Sequence, residues 1–343
     1  MGGGHSRPGR IQSRLPLSAR GEIVTATFAC TAVDRLPSAP DGWHAVDYMP
    51  LCDGSLACLQ ATTDVPAIVR DNHDLVSKGL FDQQMPYLSA DSRARLLKCG
   101  DADPLAEFPL EYPFPAFDRL PDGGWIVVNT RCHRGEPNAL TLTAGGRVVR
   151  RFLVGDGVRQ VQADDVGGVW VSHFDEGIFG DALGAAGIAR FDPSGRETWR
   201  ANDDRSLPSV DDCYALNAIG GEAWACYYSD FPILRVRRSG EYRVWTNSVG
   251  GAAAIAVDGD WVVLFGGYDD QRSRIALLKL GEKAAEWVGE LTLTETEVAR
   301  DQAVGRGDAI HLIGEGTWRR FTVAEVVKAV TSASDTAVLD QET

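Results

Sequence analysis

Apolar runs of strand length recur along the chain, each entered through a turn rich in glycine and aspartate. The clearest hold a tryptophan: "RLPDGGWIVVNT", "ADDVGGVWVSHF", "NAIGGEAWACYY" and "AVDGDWVVLFGG". Their tryptophans, Trp125, Trp170, Trp224 and Trp261, stand 45, 54 and 37 residues apart. A second series, Trp199, Trp245 and Trp287, trails the first by 21 to 29 residues. Two offset series at one coarse period predict a repeated structural unit.

Each unit divides into four strands. From Gln160 to Arg200 these are "QVQAD", "GVWVSHF", "GIARFD" and "RETWRA", separated by "DVGG", "DEGIFGDALGAA" and "PSG", which are turn chemistries. The next unit reads "CYALNA", "EAWACYY", "ILRVRR" and "YRVWTN", and the one after it "AAAIAV", "DWVVLFG", "RIALLKL" and "AEWVGEL". In the second strand Trp170, Ser172 and Phe174 alternate with Val169, Val171 and His173, so neither face is wholly polar. Strands apolar on both faces must be covered on both, and radial stacking of meanders achieves this with only short edges exposed.

The predicted fold is therefore all-β, a six-bladed β-propeller of four-stranded antiparallel blades. Blade 1 opens at Trp43 and blade 2 at "AFDRLPDGGWIVV"; the three units above follow, and Gln302 to Val323 forms the sixth. That last unit offers three strands, and "EIVTATFA" (Glu22 to Ala29) is expected to supply the fourth and close the ring. The first repeat interval is long, which places an insertion in or after blade 1, over about residues 65–115. Residues 1–20 read as a flexible tail, 21–323 as the propeller, and 324–343 as a short helix followed by a disordered end.

Charge narrows the partners. Thirty-four basic against forty-eight acidic side chains give a net charge of −14, which repels phosphate backbones and anionic lipid. No run reaches the roughly 18 apolar residues of a membrane helix. Cys30, Cys52, Cys58, Cys99, Cys132, Cys213 and Cys226 form no regular framework and suit reduced, packed thiols. The expectation is a cytoplasmic protein that engages neither nucleic acid nor membrane. GxGxxG after a strand, the P-loop, HExxH and GxSxG are all missing from the sequence.

Two constellations carry candidate chemistry. Seven residues before the tryptophan column stand Asp118 and Asn217, matched in blade 1 by Asp47, on the strands that line a propeller's channel. Three such oxygens converging on one axis are what Ca2+ or Mg2+ selects, although blades 3 and 5 carry Ala163 and Ala254 at this position; the bland alternative is that these groups hydrogen-bond one another. The second constellation is the ends of the second strands: Arg131 and His133, then His173, Asp175 and Glu176, then Ser229 and Asp230, then Asp269 and Asp270. The repeat places them on one face, around the channel mouth.

The turn-then-tryptophan strand, as in "DDVGGVWVSHFDEGIFG", resembles propellers of the NHL, two-component-sensor and gluconolactonase-like type. In the gluconolactonase-like group, acidic and amide side chains hold a metal, and a carboxylate serves as base. The fold also resembles propeller lyases that inactivate streptogramins with histidine and Mg2+; their motif does not align here, so no catalytic residue is carried over. The first expectation is a non-catalytic propeller binding a protein, peptide or small molecule at an acidic mouth. The alternative is a metal-assisted hydrolase, lactonase-like, or lyase acting in the channel.

Overall fold

Six sheets stand around one axis in the computed structural model, which describes residues 25–70, 88–294, 302–314 and 316–341. In blades 1 to 4 the strands lie in chain order from the axis outward, and blades 5 and 6 follow the same order but for an outermost strand taken from the start of the chain. The innermost are His44–Pro50, Pro115–Arg119, Val158–Ala163, Asp212–Ile219, Ala254–Asp258 and Gln302–Arg306, one for each of blades 1 to 6. Each touches the innermost strand of the next blade, and the sixth touches the first, so the ring is closed. Buried apolar side chains fill the seams between neighbouring blades in five clusters.

The local chemistry explains the repetition. Aspartates shape the turns: Asp122 accepts the Gly124 N–H at 2.9 Å, Asp164 that of Gly168 at 2.6 Å and Asp192 that of Ser194 at 2.9 Å. In blades 3 and 4 the two tryptophan series belong to one contact, between second and fourth strands. Trp170 meets Trp199 at 5.9 Å between ring centroids, and Trp224 stacks on Trp245 at 5.7 Å. A further repeat, unread in the sequence, is a cation on the third strand directly opposite the second-strand tryptophan. Arg190 faces Trp170, Arg235 faces Trp224 and Lys279 faces Trp261. These cations lie 5.6, 5.4 and 5.0 Å from the rings.

Ring closure differs from the expectation. The fourth strand of blade 6 is Thr31–Arg35, antiparallel to Thr317–Thr322, and not the segment Glu22 to Ala29. Thr25–Phe28 instead adds a fifth strand to blade 5, parallel to Ala285–Leu293. The chain steps from one blade to the next through Cys30, whose buried thiol donates to the Arg320 carbonyl, while Phe28 packs edge-on against Phe321. Thr25–Phe28, which lies within the expected segment, ends before that step and so stays on the edge of blade 5.

Two strands, Arg93–Lys98 and Ala106–Pro109, fall inside the stretch read as an insertion and complete blade 1. Of the residues between its second and third strands, 71–87 lie outside the described residues, as does the expected tail 1–20. At the other end the helix is longer than expected, Val323–Gln341. A reciprocal cap starts it: the Thr322 hydroxyl accepts the Glu325 N–H, and the Glu325 carboxylate accepts the Thr322 N–H at 2.7 Å. Val326 and Val330 bury against blades 5 and 6, and a Cβ on Gly289 would lie 2.5 Å from Val330, so the helix seats where the strand has no side chain. Among the described residues no helix is long and apolar enough to cross a membrane.

Candidate functional site

The axis is closed at one end and open at the other. The closed end is built by Arg306, the last residue of the sixth inner strand. Its buried guanidinium donates to the carbonyls of Pro50 at 3.0 Å, Ala163 at 3.0 Å and Ala218 at 2.9 Å, and pairs with the Asp118 carboxylate. One side chain thus ties blade 6 to blades 1, 2, 3 and 4. The carboxylate beside it holds Arg306 firmly protonated against the cost of burial. Asp118 also accepts the N–H groups of Arg119 and Ala163, both at 2.7 Å.

Two amides complete this floor. Gln162 donates to Leu216 O and Gly305 O at 3.1 and 3.2 Å and accepts the Ala218 N–H at 2.8 Å. Asn217 donates to Ile255 O and Gly307 O at 2.9 and 2.8 Å and accepts the Gly307 N–H at 2.8 Å. The backbones come very close here: a Cβ on Gly305 would stand 1.9 Å from the Ile255 carbonyl oxygen, which is why the sequence has glycine beside Arg306.

Above the floor lies a cavity of about 450 Å³ to which every blade contributes. Asp47, Ala116, Arg159, Tyr214, Ala253 and Gln302 represent blades 1 to 6 in its wall. Asp47 accepts the Tyr48 N–H at 2.8 Å. Burial pushes its carboxyl from the ordinary 3.8 up to about 7, opposed by that N–H and by the Gln302 side chain. Arg159 pairs with Asp212 at 3.3 Å and lies 5.2 Å from the Phe174 ring. The Tyr214 hydroxyl accepts from Tyr268 at 2.9 Å, which leaves its own proton to donate. Tyr214, Phe231 and Tyr268 form an aromatic wall, with centroids 5.9 to 6.2 Å apart.

The residues read from the sequence fall into distinct places. Asp47 lines the cavity, whereas Asp118 and Asn217 belong to the floor and already carry protein partners. Seven of the eight rim residues follow second strands and His173 ends one, yet none lines the cavity. Arg131 binds Asp156 at 3.3 Å and Glu176 at 2.6 Å. The His133 N–H donates to Glu136. Asp175 and Glu176 begin the short helix Asp175–Gly180. Asp230 is exposed, as are Asp269 and Asp270 in a single 3-10 turn. His173 is fully buried inside blade 3, its Nε2 3.0 Å from the Val154 carbonyl, and burial lowers its pKa to about 4. Among the described residues no three His, Cys, Asp or Glu side chains are grouped to hold a metal ion.

Arg159, Tyr214, Gln302 and Arg306 were missed. The signal for the first three was available: they stand near the start of inner strands, and those starts lie at the same face as the second-strand ends. Arg306 was marked by being a lone cation on a strand flanked by glycines, "VGRGD".

Comparison with known proteins gives a family match over part of the chain and a likeness of fold. Residues 199–315 match the model of the YxzG family. None of the curated proteins matches the sequence. Among solved structures, virginiamycin B lyase from Staphylococcus aureus shares 14% identity at a TM-score of 0.50, covering 83% of this chain and 82% of that one. A streptogramin B lyase shares 13% at a TM-score of 0.50, over 83% and 80%. The PQQ-bound aldose sugar dehydrogenase of Streptomyces coelicolor shares 12% at 0.46, over 85% and 97%. Likeness at such identities reaches as far as the fold, and the fold is a six-bladed β-propeller.

Proposed function

We propose that this propeller is a binding protein that holds a small polar molecule in its axial cavity. The observation that supports the reading is a six-walled cavity of about 450 Å³, a volume suited to one small ligand. Its floor is sealed by satisfied hydrogen bonds, while Asp47, Gln302 and the Tyr214 hydroxyl stand at its wall. A metal-assisted hydrolase or lyase using Asp47, Asp118 and Asn217 would have to take Asp118 from Arg306 and Asn217 from Gly307, which favours binding without a cation bridge. The experiment is a thermal-shift and native mass-spectrometry screen of small polar metabolites against the wild type and Ala253→Trp. Ala253 is exposed and lines the cavity, so the indole fills the space without disturbing the core. Ligands that shift the wild type and lose their effect in the variant support the reading; equal shifts in both sink it.

A further inference from the structure

The charges around the cavity do not cancel evenly. Arg306 in the floor has Asp118, and Arg159 in the wall has Asp212. Asp47, the other charge in the wall, accepts only from the Tyr48 N–H and the Gln302 amide and has no cationic partner among the described residues. An anionic ligand would have to separate Arg159 from Asp212, whereas a cationic one finds an acid already waiting. Directly across a six-membered ring from blade 1 is blade 4, which contributes Tyr214, packed against Phe231 of the same blade and Tyr268 of blade 5. Aromatic rings attract cations as well as apolar groups, and the chain's net charge of −14 raises the local concentration of cations.

We infer that the axial cavity selects an organic cation of the ammonium type, with Asp47 as its counter-ion and Tyr214 as the opposing wall. The inference rests on the binding reading above and names the ligand class for that same site. It implies that binding and protonation compete. Asp47 gives up its proton to receive the cation, so affinity falls as the solution is acidified. The groups that face Asp47 are few. Tyr48 is its neighbour, and the Cys58 thiol, held up to about 12 by burial, stays neutral. Gln302 carries no charge, and Arg159 is paired with Asp212. The adjoining groove between blades 6 and 1 shares Asp47 and Gln302 with the cavity and adds His44, Asp64 and Arg70.

Three probes of one shape and different charge test the idea: benzylamine, benzyl alcohol and benzoate, titrated by ligand-observed NMR at about 10 mM and below, where fragments of this size register. At pH 8 benzylamine is expected to bind about tenfold or more tightly than the other two, which corresponds to one charge pair in a partly solvated site. Asp47→Asn, which keeps the shape of the side chain, is expected to remove that advantage, with an unchanged circular-dichroism spectrum as the check on folding. Between pH 8 and 6 benzylamine affinity is expected to fall several-fold in the wild type. Because histidine also changes charge in this range, the series is repeated in Asp47→Asn, where it should be flat. Benzoate binding as well as benzylamine, or benzylamine indifferent to Asp47→Asn, overturns the inference. If benzyl alcohol or benzoate binds in the wild type and not in Ala253→Trp, the cavity reading survives and only the cation is wrong. If no probe binds at all, both fall.

Discussion

The two ends of the axis are made from the same six strands and behave as opposites. At the floor, Arg306, Asp118, Gln162 and Asn217 answer one another and the surrounding carbonyls. At the mouth, Asp47 is half-buried with no cationic partner among the described residues, and Tyr214 has a hydroxyl proton to donate. Polar groups buried with partners rigidify a fold, while those left unpaired beside a cavity are available to something else. The difference separates residues that hold the ring from residues that can recognise a ligand, although both sets are polar and both sit on inner strands.

The sharpest way to break this comparison is at the floor. Arg306→Ala leaves the Asp118 carboxylate buried without its cation, and we expect a loss of about 3–5 kcal/mol in urea unfolding. A variant of near wild-type stability would mean that the floor is not structural. Asn217→Ala removes three hydrogen bonds linking blades 4, 5 and 6, with an expected cost of about 1–3 kcal/mol by the same measurement.

The mouth should respond in the other direction. Asp47 ionises near 7 in the folded chain and at the ordinary 3.8 when unfolded. The folded state therefore retains this proton between those values, so its contribution to stability declines as pH rises from about 4 to 7 and is constant above. Asp47→Asn abolishes that decline, and its melting temperature should exceed the wild type's above pH 7 by a few degrees, about 1–3 kcal/mol, with the two converging near pH 4. His173 and His311 act in the opposite sense. Their pKa values drop from 6.5 to about 4 and about 3, so each withdraws stability as pH falls below 6.5, and both variants should soften in acid. The smallest effect belongs to Ala253→Trp, within about 0.5 kcal/mol of wild type although it fills the cavity.

Much of the architecture was legible because its cause is periodic. Tryptophan spacing, glycine–aspartate turns and two-faced strands all follow from one blade repeated around an axis, so the blade count and the strands of blades 3 to 5 could be read directly. The closing strand could not be assigned, because Thr25–Phe28 and Thr31–Arg35 are both short, β-prone and adjacent, and only Cys30 at the step distinguishes them. The site was half legible. The alignment put Asp47, Asp118 and Asn217 on inner strands, but depth along the axis depends on where each strand begins and on bulges such as the one between Ala45 and Asp47. A one-residue bulge moves a side chain relative to its counterparts. The polarity of Asp118 therefore reflected Arg306, a partner 188 positions away, and no local pattern points so far.

The latch between Thr31–Arg35 and Thr317–Thr322 also bears on how the protein is made. Cys30 and Arg320 touch across 290 positions of sequence. On the ribosome, the early-synthesised strand Thr31–Arg35 must wait without its partner until blade 6 emerges and brings Thr317–Thr322 to it at the far side of a nearly finished ring. Contacts between such distant positions form late, so the nascent chain passes most of its synthesis as an open arc whose free edge is the place where chaperones or stray strands can intervene.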